Sequence, residues 1–276
     1  MALPLPSSLS PSKISSFTDC PLAFRFNAVE RMPSKPTVAT VKGTLVHSAL
    51  ERLMSLDAAA RDRSAAHGCL AAARSELPQD PEWIELALPD ADHAAFFASA
   101  GALVDAYFEV EDPSSVAPSG LELHLEHTDP TTGMLLRGII DRLETEPDGG
   151  LIVTDYKTGK SPNPKYAQSR MVGVHVYSYL VEKNYAQRPT RVQLLYLGDR
   201  KIVADQPTDQ STRAIERKVG AIWEAITTAC EDEHFQPRVS PLCNWCDYRD
   251  FCPAQGGSLE LGIETAAELR ARRSSS

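Results

Sequence analysis

The chain has 276 residues, of which 42% are hydrophobic, and a formal net charge of −9 at pH 7. That length holds one large domain or two small ones, and that apolar fraction is enough for a buried core. The sequence has no run of about 18 apolar residues, which excludes a membrane-spanning helix, and its opening MALPLPSSLSPSK lacks the basic start and apolar stretch of a secretory signal, so a cytoplasmic location is expected.

Ser10 and Pro11 read as a helix cap followed by proline in the first turn. They open a helix over Ser12–Val29 that can bury Ile14, Phe17, Leu22 and Phe26. Two prolines make Met32–Thr40 a loop, and Gly43-Thr44-Leu45-Val46-His47 opens a second helix with Val46, Ala49, Leu50 and Leu53 at helical spacing. The Ala-rich stretch 58–90 predicts short helices, and Asp90–Val110 a longer one with Phe96, Phe97, Leu103 and Tyr107 on its apolar side. Pro, Ser and Gly mark Asp112–Gly120 as a linker. Apolar and polar residues then alternate over Leu121–Thr128, the pattern of a half-buried strand. A turn at Asp129–Gly133 leads into a strand over Met134–Glu144, and a turn at Asp148–Gly150 into a short apolar strand over Leu151–Tyr156. A helix over Lys165–Asn184, a hairpin of Arg191–Leu197 and Lys201–Asp205, and an amphipathic helix over Asp209–Asp232 complete the regular elements. The order predicts an α/β fold with a mixed central sheet flanked by helices. Residues 10–256 form one domain in this reading: a helical part over 10–110, the sheet with its helix over 121–205, and a helix with a cysteine-bearing loop over 209–256. Residues 257–276 read as a polar tail.

An acidic protein is a poor first candidate for a nucleic-acid partner, but the charge is unevenly spread. Residues 61–150 hold five Lys/Arg against 18 Asp/Glu, whereas residues 151–201 hold nine against three. The basic stretch begins at the segment D-Y-K-T-G-K, and a local basic strip can bind phosphates while the rest of the chain is acidic. In that segment Asp155 and Lys157 lie two apart on a strand, so both side chains leave one face. Asp141, at the end of the strand G-I-I-D-R-L-E, can reach the same face from the neighbouring strand. Two carboxylates converging with the carbonyl of Tyr156 make an oxygen-rich site for Mg²⁺ or Mn²⁺. Lys157 would hold a water or a developing charge beside it. Taken alone D-x-K is a weak pattern, because strands often end in charged residues and a surface Asp–Lys pair contributes little.

Three segments in order, GTLVHSALERL, LRGIIDRLE and DYKTGK, resemble the motif series of RecB-family nucleases of the PD-(D/E)XK superfamily. The resemblance runs from about Ser10 to Pro253 and implies a restriction-endonuclease-like core that hydrolyses DNA. It implies that His47, in the G-T-x-x-H helix, supplies a further metal ligand; imidazole suits Mn²⁺ better than it suits Ca²⁺, so Mn²⁺ is expected to support activity as well as Mg²⁺. Glu122, in the L-E-L-H-L strand, resembles a glutamate that the family carries before its G-x-x-D strand. The family's Q-x-x-x-Y helix corresponds to His175-Val176-Tyr177-Ser178-Tyr179, so Tyr179 fits the tyrosine and His175 stands where glutamine is expected. Lys160, Lys165 and Arg170 are the basic groups expected to bind DNA phosphates.

Six cysteines are too few for a small disulfide scaffold, and their uneven placement suggests ligands rather than bridges. Cys243-x₂-Cys246-x₅-Cys252 with a distant Cys20 suits either Zn²⁺ or a [4Fe–4S] cluster by spacing alone. The segments D-C-P and C-N-W-C-D-Y-R-D-F-C-P resemble the iron–sulfur staple of AddB-type and CRISPR-associated RecB-like nucleases, and that resemblance implies a [4Fe–4S] cluster joining the two ends. Cys69 and Cys230 lack such partners and read as core or spare thiols.

The sequence therefore predicts a metal-dependent deoxyribonuclease, an exonuclease on single-stranded or fraying ends by analogy with the family, with a role in recombination or repair and a helicase, repair or CRISPR protein as possible partner. Its rivals are a non-catalytic iron–sulfur DNA-binding module and a zinc-stapled protein-interaction domain whose partner surface is the acidic segment 61–150. No P-loop G-x-x-x-x-G-K-[ST] is present, so the chain contains no helicase motor.

Overall fold

Proline decides how the chain begins. The residue before a proline is pushed out of the helical region, and Cys20, before Pro21, is extended (φ −160°, ψ 108°). The single helix expected over Ser12–Val29 is therefore broken into α1 (Pro11–Asp19), α2 (Pro21–Phe24) and a π-helical turn over Arg25–Val29. The structure, a computed structural model, describes the backbone of residues 2–274 and, within that span, the side chains of all but residues 164–170 and 274.

Two compact units are distinguished. The larger comprises residues 36–127 and 138–215, and the other residues 1–35, 128–137 and 216–276.

In the larger unit α3 spans Val38–Met54, five residues earlier than Gly43, because Thr37 and Thr40 cap each other in a capping box. Helices α4 (Arg63–Glu76), α5 (Pro81–Leu86) and α6 (Asp90–Val110) follow. Leu45, Val46, Leu50 and Leu53 of α3 join Phe96, Val104 and Tyr107 of α6 in one buried core. The sheet has the order β1-β2-β3-β4-β5: β1 is Pro118–Thr128, β2 Leu135–Thr145, β3 Leu151–Lys157, β4 Arg191–Tyr196 and β5 Lys201–Asp205. Strand β1 thus takes in the end of the segment expected as linker. β3 pairs antiparallel with β2 and parallel with β4, and β4 pairs antiparallel with β5, so the sheet is mixed as expected. Helix α7 (Pro164–Tyr185) makes the crossover that a parallel pair requires. Gly138 of β2 admits that helix: a Cβ there would stand 2.7 Å from the Tyr177 ring and 3.1 Å from Leu180.

Beneath one face of β2 and β3 lies a buried charged network. Arg142 is fully buried. Its guanidinium donates to Glu111 at 2.7 and 2.8 Å, to Glu144 at 2.8 and 3.0 Å and to the Tyr156 hydroxyl at 2.7 Å. Thr154 donates to Glu144 at 2.7 Å and accepts from Gln193 at 2.8 Å. One cation thus ties β2, β3 and α6 together, and β4 through Gln193.

In the other unit, helix α8 (Asp209–Glu231) is followed by short turns and α9 (Leu259–Ser274). The segment expected as a polar tail is therefore a docked helix. Ala266 is buried, and a Cβ on Gly262 would meet Phe26 at 2.6 Å. Arg270 reaches the buried Glu30 at 3.1 Å, and Arg273 donates to the Arg31 carbonyl at 2.7 Å. A wholly polar reading missed it because α9 docks through small residues, which carry little hydrophobic signal.

Arg142→Ala strands the buried Glu144 and the half-buried Glu111, and removing one partner of a buried ionic network typically costs about 3–5 kcal/mol. Urea unfolding should show a loss of that size; a midpoint within experimental error of wild type would contradict the assigned network.

Candidate active site

Strand register builds the site. Arg142 pairs with Thr154 across β2 and β3, so the next step in the same antiparallel register places Asp141 opposite Asp155. Side chains alternate faces along a strand. Arg142, Thr154 and Tyr156 therefore join the buried network on one face, while Asp141, Asp155 and Lys157 share the other. Directly opposed like charges repel, and the surroundings compensate. The Tyr156 N–H donates to Asp141 Oδ2 at 2.6 Å, and His47 Nδ1 of α3 stands 3.5 Å from the same oxygen. Asp155 Oδ2 is ion-paired with Lys157 Nζ.

Glu122 completes the arrangement from β1. Its backbone has φ +42°, a conformation in which a non-glycine residue is strained. Strain of this kind costs on the order of 1–3 kcal/mol and persists where the surroundings over-determine it. Ligand atoms of His47, Glu122 and Asp141 all lie within 4.8 Å of one another. One imidazole nitrogen and two carboxylate oxygens suit Mg²⁺ or Mn²⁺. Among the described residues this is the one such set of His, Cys, Asp and Glu; Asp155 stands beside it, held by Lys157.

The electrostatics are those of carboxylates held largely out of water beside two cationic groups. Burial pushes the Asp155 carboxyl up to about 6, aided by Asp141 and opposed by Lys157. Burial likewise raises Glu122 to about 7, with the charges of Asp141 and Glu51 adding to it. Burial disfavours the His47 cation, but the hydrogen bond and charge of Asp141 outweigh it and the pKa is raised. Lys157 follows the same pattern, with Asp155 overcoming burial. A cation entering the set would displace protons from these groups.

The remaining expected residues fall in several places. His175 Nε2 stands 3.0 Å from Asp205 of β5. Tyr179 is buried against His127, with ring centroids 5.8 Å apart, and under Lys183. Lys160 is exposed just beyond β3. The side chains of Lys165 and Arg170 lie outside the described residues. Tyr177 was not anticipated: burial raises its pKa, and the charges of Asp155, Asp141 and Glu122 raise it further. The glycine in L-R-G-I-I-D was its sequence signal, since it leaves space for the Tyr177 ring.

The cysteines form a second constellation. None of the six is in a disulfide. Cys20 Sγ accepts from the Arg238 N–H and Cys243 Sγ from the Ser240 N–H, both at 3.4 Å. Burial raises the Cys246 thiol, and the neighbouring Cys20, Cys243 and Cys252 raise it further. Cys69 packs against the helical core of the larger unit, and Cys230 is buried with its thiol directed at the Pro4 carbonyl.

Three comparisons bear on this geometry. The chain is 25% identical over 272 residues to the Gene 69 protein of Mycobacterium phage D29, covering 88% of this chain and 96% of the phage protein. Its fold is similar to the crystal structure of a Eubacterium rectale protein that carries the provisional name exonuclease, with a TM-score of 0.56, 13% identity and 88% of each chain covered. The sequence profile of the PD-(D/E)XK nuclease superfamily matches residues 8–253, a span that contains His47, Glu122, Asp141, Asp155 and Lys157 together with all four grouped cysteines. The chain belongs to the PD-(D/E)XK nuclease superfamily, whose members use divalent metal ions.

Proposed function

We propose that the protein is a Mg²⁺- or Mn²⁺-dependent deoxyribonuclease that hydrolyses phosphodiester bonds at the His47/Glu122/Asp141/Asp155/Lys157 site. The observation that carries this reading is the convergence of three metal-ligating side chains within 4.8 Å beside the Asp155–Lys157 pair. His47, Glu122 and Asp141 hold the metal, with Asp155 and the Tyr156 carbonyl as further oxygen donors. The bound ion polarises the phosphate and lowers the pKa of a water. Lys157, at the end of β3, orients the attacking water and offsets negative charge as it develops. The Tyr156 N–H, donating to Asp141 Oδ2, fixes that carboxylate, which would hold the ion together with His47 and Glu122. Lys160, Lys165 and Arg170, in the basic stretch after β3, contact the backbone phosphates of the substrate. Single-stranded DNA or fraying duplex ends, in recombination or repair, are the substrates this family reading favours, with a helicase or repair protein as partner.

The four cysteines hold a [4Fe–4S] cluster in this reading. Backbone N–H groups directed at Cys20 and Cys243 suit thiolate ligands, which accept hydrogen bonds. The Cys246 thiol feels the charges of Cys20, Cys243 and Cys252, and the resemblance of D-C-P and C-N-W-C-D-Y-R-D-F-C-P to the iron–sulfur staple favours the cluster over Zn²⁺. Its role is structural, tying residue 20 to residues 243–252 and restricting the unfolded chain.

Asp155→Ala and Lys157→Ala should each reduce cleavage in Mn²⁺ by at least ~10²–10³-fold, the size of effect expected for one such transition-state contact. Binding of DNA in EDTA at fixed salt should change little, because phosphate contacts are spread over many groups. Wild-type cleavage by either folded variant would remove the catalytic assignment.

Anaerobically purified protein should be brown and bleach on reduction, and Cys20→Ala should lower the thermal midpoint far more than Cys69→Ala, since loss of a structural metal site is among the severe single changes. A colourless protein with one zinc per chain, or equal midpoints, would overturn the cluster.

A further inference from the structure

We propose that Asp199, in the turn between β4 and β5, is a positioning residue that holds the loop after Lys157 and so fixes that lysine's ammonium for the reaction. The proposal rests on the reading of the site as a nuclease centre, and everything else in it comes from the larger unit. Lys157 is the last residue of β3, and a long side chain at a strand end has several rotamers within reach. Asp155 pairs with its ammonium, and the path of the chain beyond, Thr158-Gly159-Lys160-Ser161, sets where the lysine's backbone stands.

That path is clamped at successive points. The Leu197 N–H donates to the Lys157 carbonyl at 2.8 Å, and the Gly198 N–H to the Gly159 carbonyl at 3.1 Å. The second contact requires glycine at 198, because a Cβ there would stand 2.6 Å from Gly159 O. Asp199 then closes the clamp with both carboxylate oxygens: Oδ1 accepts from the Ser161 N–H at 2.9 Å and Oδ2 from the Ser161 hydroxyl at 2.6 Å. Lys201 Nζ stands 3.0 Å from Oδ2 and keeps the carboxylate turned toward the loop. The two Ser161 hydrogen bonds hold the Asp199 carboxyl down at about 2, so it stays ionised throughout the neutral range. On the opposite side Thr158 Oγ1 lies 3.5 Å from the position a Cβ would take on Gly43, one turn before His47. The loop is thus seated between the turn that carries Asp199 and the helix that carries His47.

Asp199 touches neither the three-ligand set nor Lys157, so its removal leaves the metal site complete and frees only the lysine's support. A displacement of about 1 Å at a reacting group can cost ~10²-fold in rate. The test measures kcat, KM, Mn²⁺ affinity, thermal midpoint and hydrogen exchange for Asp199→Ala and Asp199→Asn. The alanine variant should lose roughly 10- to 10²-fold in kcat, measured well below its midpoint, with unchanged KM and Mn²⁺ affinity, a small loss of thermal midpoint that asparagine shares, and faster exchange at the Ser161 amide. Asparagine can accept from the Ser161 N–H and donate to its hydroxyl, so it should restore most of kcat. Wild-type kcat in Asp199→Ala, a loss that tracks Mn²⁺ affinity or midpoint, or an asparagine variant as impaired as alanine would each overturn the proposal. Asp155→Ala is assayed alongside. Full cleavage by that variant would instead reject the nuclease centre itself, which separates the two failures.

Discussion

Asp141 and Asp155 face each other across adjacent strands, and the groups around them answer part of the repulsion between them while Glu122 adds to it. Two carboxylates at that spacing in a largely desolvated place do not stay ionised without help. The Tyr156 N–H and His47 meet Asp141, and Lys157 meets Asp155. Even so, Asp155 is pushed up to about 6 and Glu122 to about 7. Burial and neighbouring carboxylates thus disfavour the ionised forms of both groups, and three side chains of metal-ligating type stand together there.

The opposition depends on the reverse face of the same strands. A slip of one residue between β2 and β3 would send Asp141 to the other side of the sheet. The Arg142 network opposes such a slip, because Arg142 comes from β2 and Thr154 and Tyr156 from β3, and a fully buried guanidinium tolerates no loss of partners. The pair D-R at 141 and 142 therefore sends adjacent residues to opposite faces: the carboxylate to the candidate site and the cation to the network that fixes the register beneath it.

Much of this was legible in the sequence, and the reasons for the exceptions are physical. Strand periodicity put Asp155 and Lys157 on one face, and the mixed sheet followed from the order of elements. The motif series pointed to His47 and Asp141 before any geometry. Glu122 was legible only as a resemblance, since a strained backbone angle inside an alternating strand leaves no mark in the pattern. Motif spacing selected Tyr179 and was silent on Tyr177, whose ring fits over Gly138 because of the pitch of α7. His175 turned out to be engaged with Asp205, a contact between distant segments that no local pattern encodes. Cys20 was picked out by its chemistry, yet its release from the helix was written in the following proline, and α9 escaped notice because it docks through Gly262 and Ala266.

The central claim is that His47, Glu122 and Asp141 hold one divalent cation beside Asp155 and Lys157. Crystals of the protein grown with Mn²⁺ and measured at a wavelength where manganese scatters anomalously test it most directly. The account predicts a single strong anomalous peak about 2.1 Å from a carboxylate oxygen of Asp141 and of Glu122 and from an imidazole nitrogen of His47. A peak bound elsewhere, or none at saturating Mn²⁺, would contradict it.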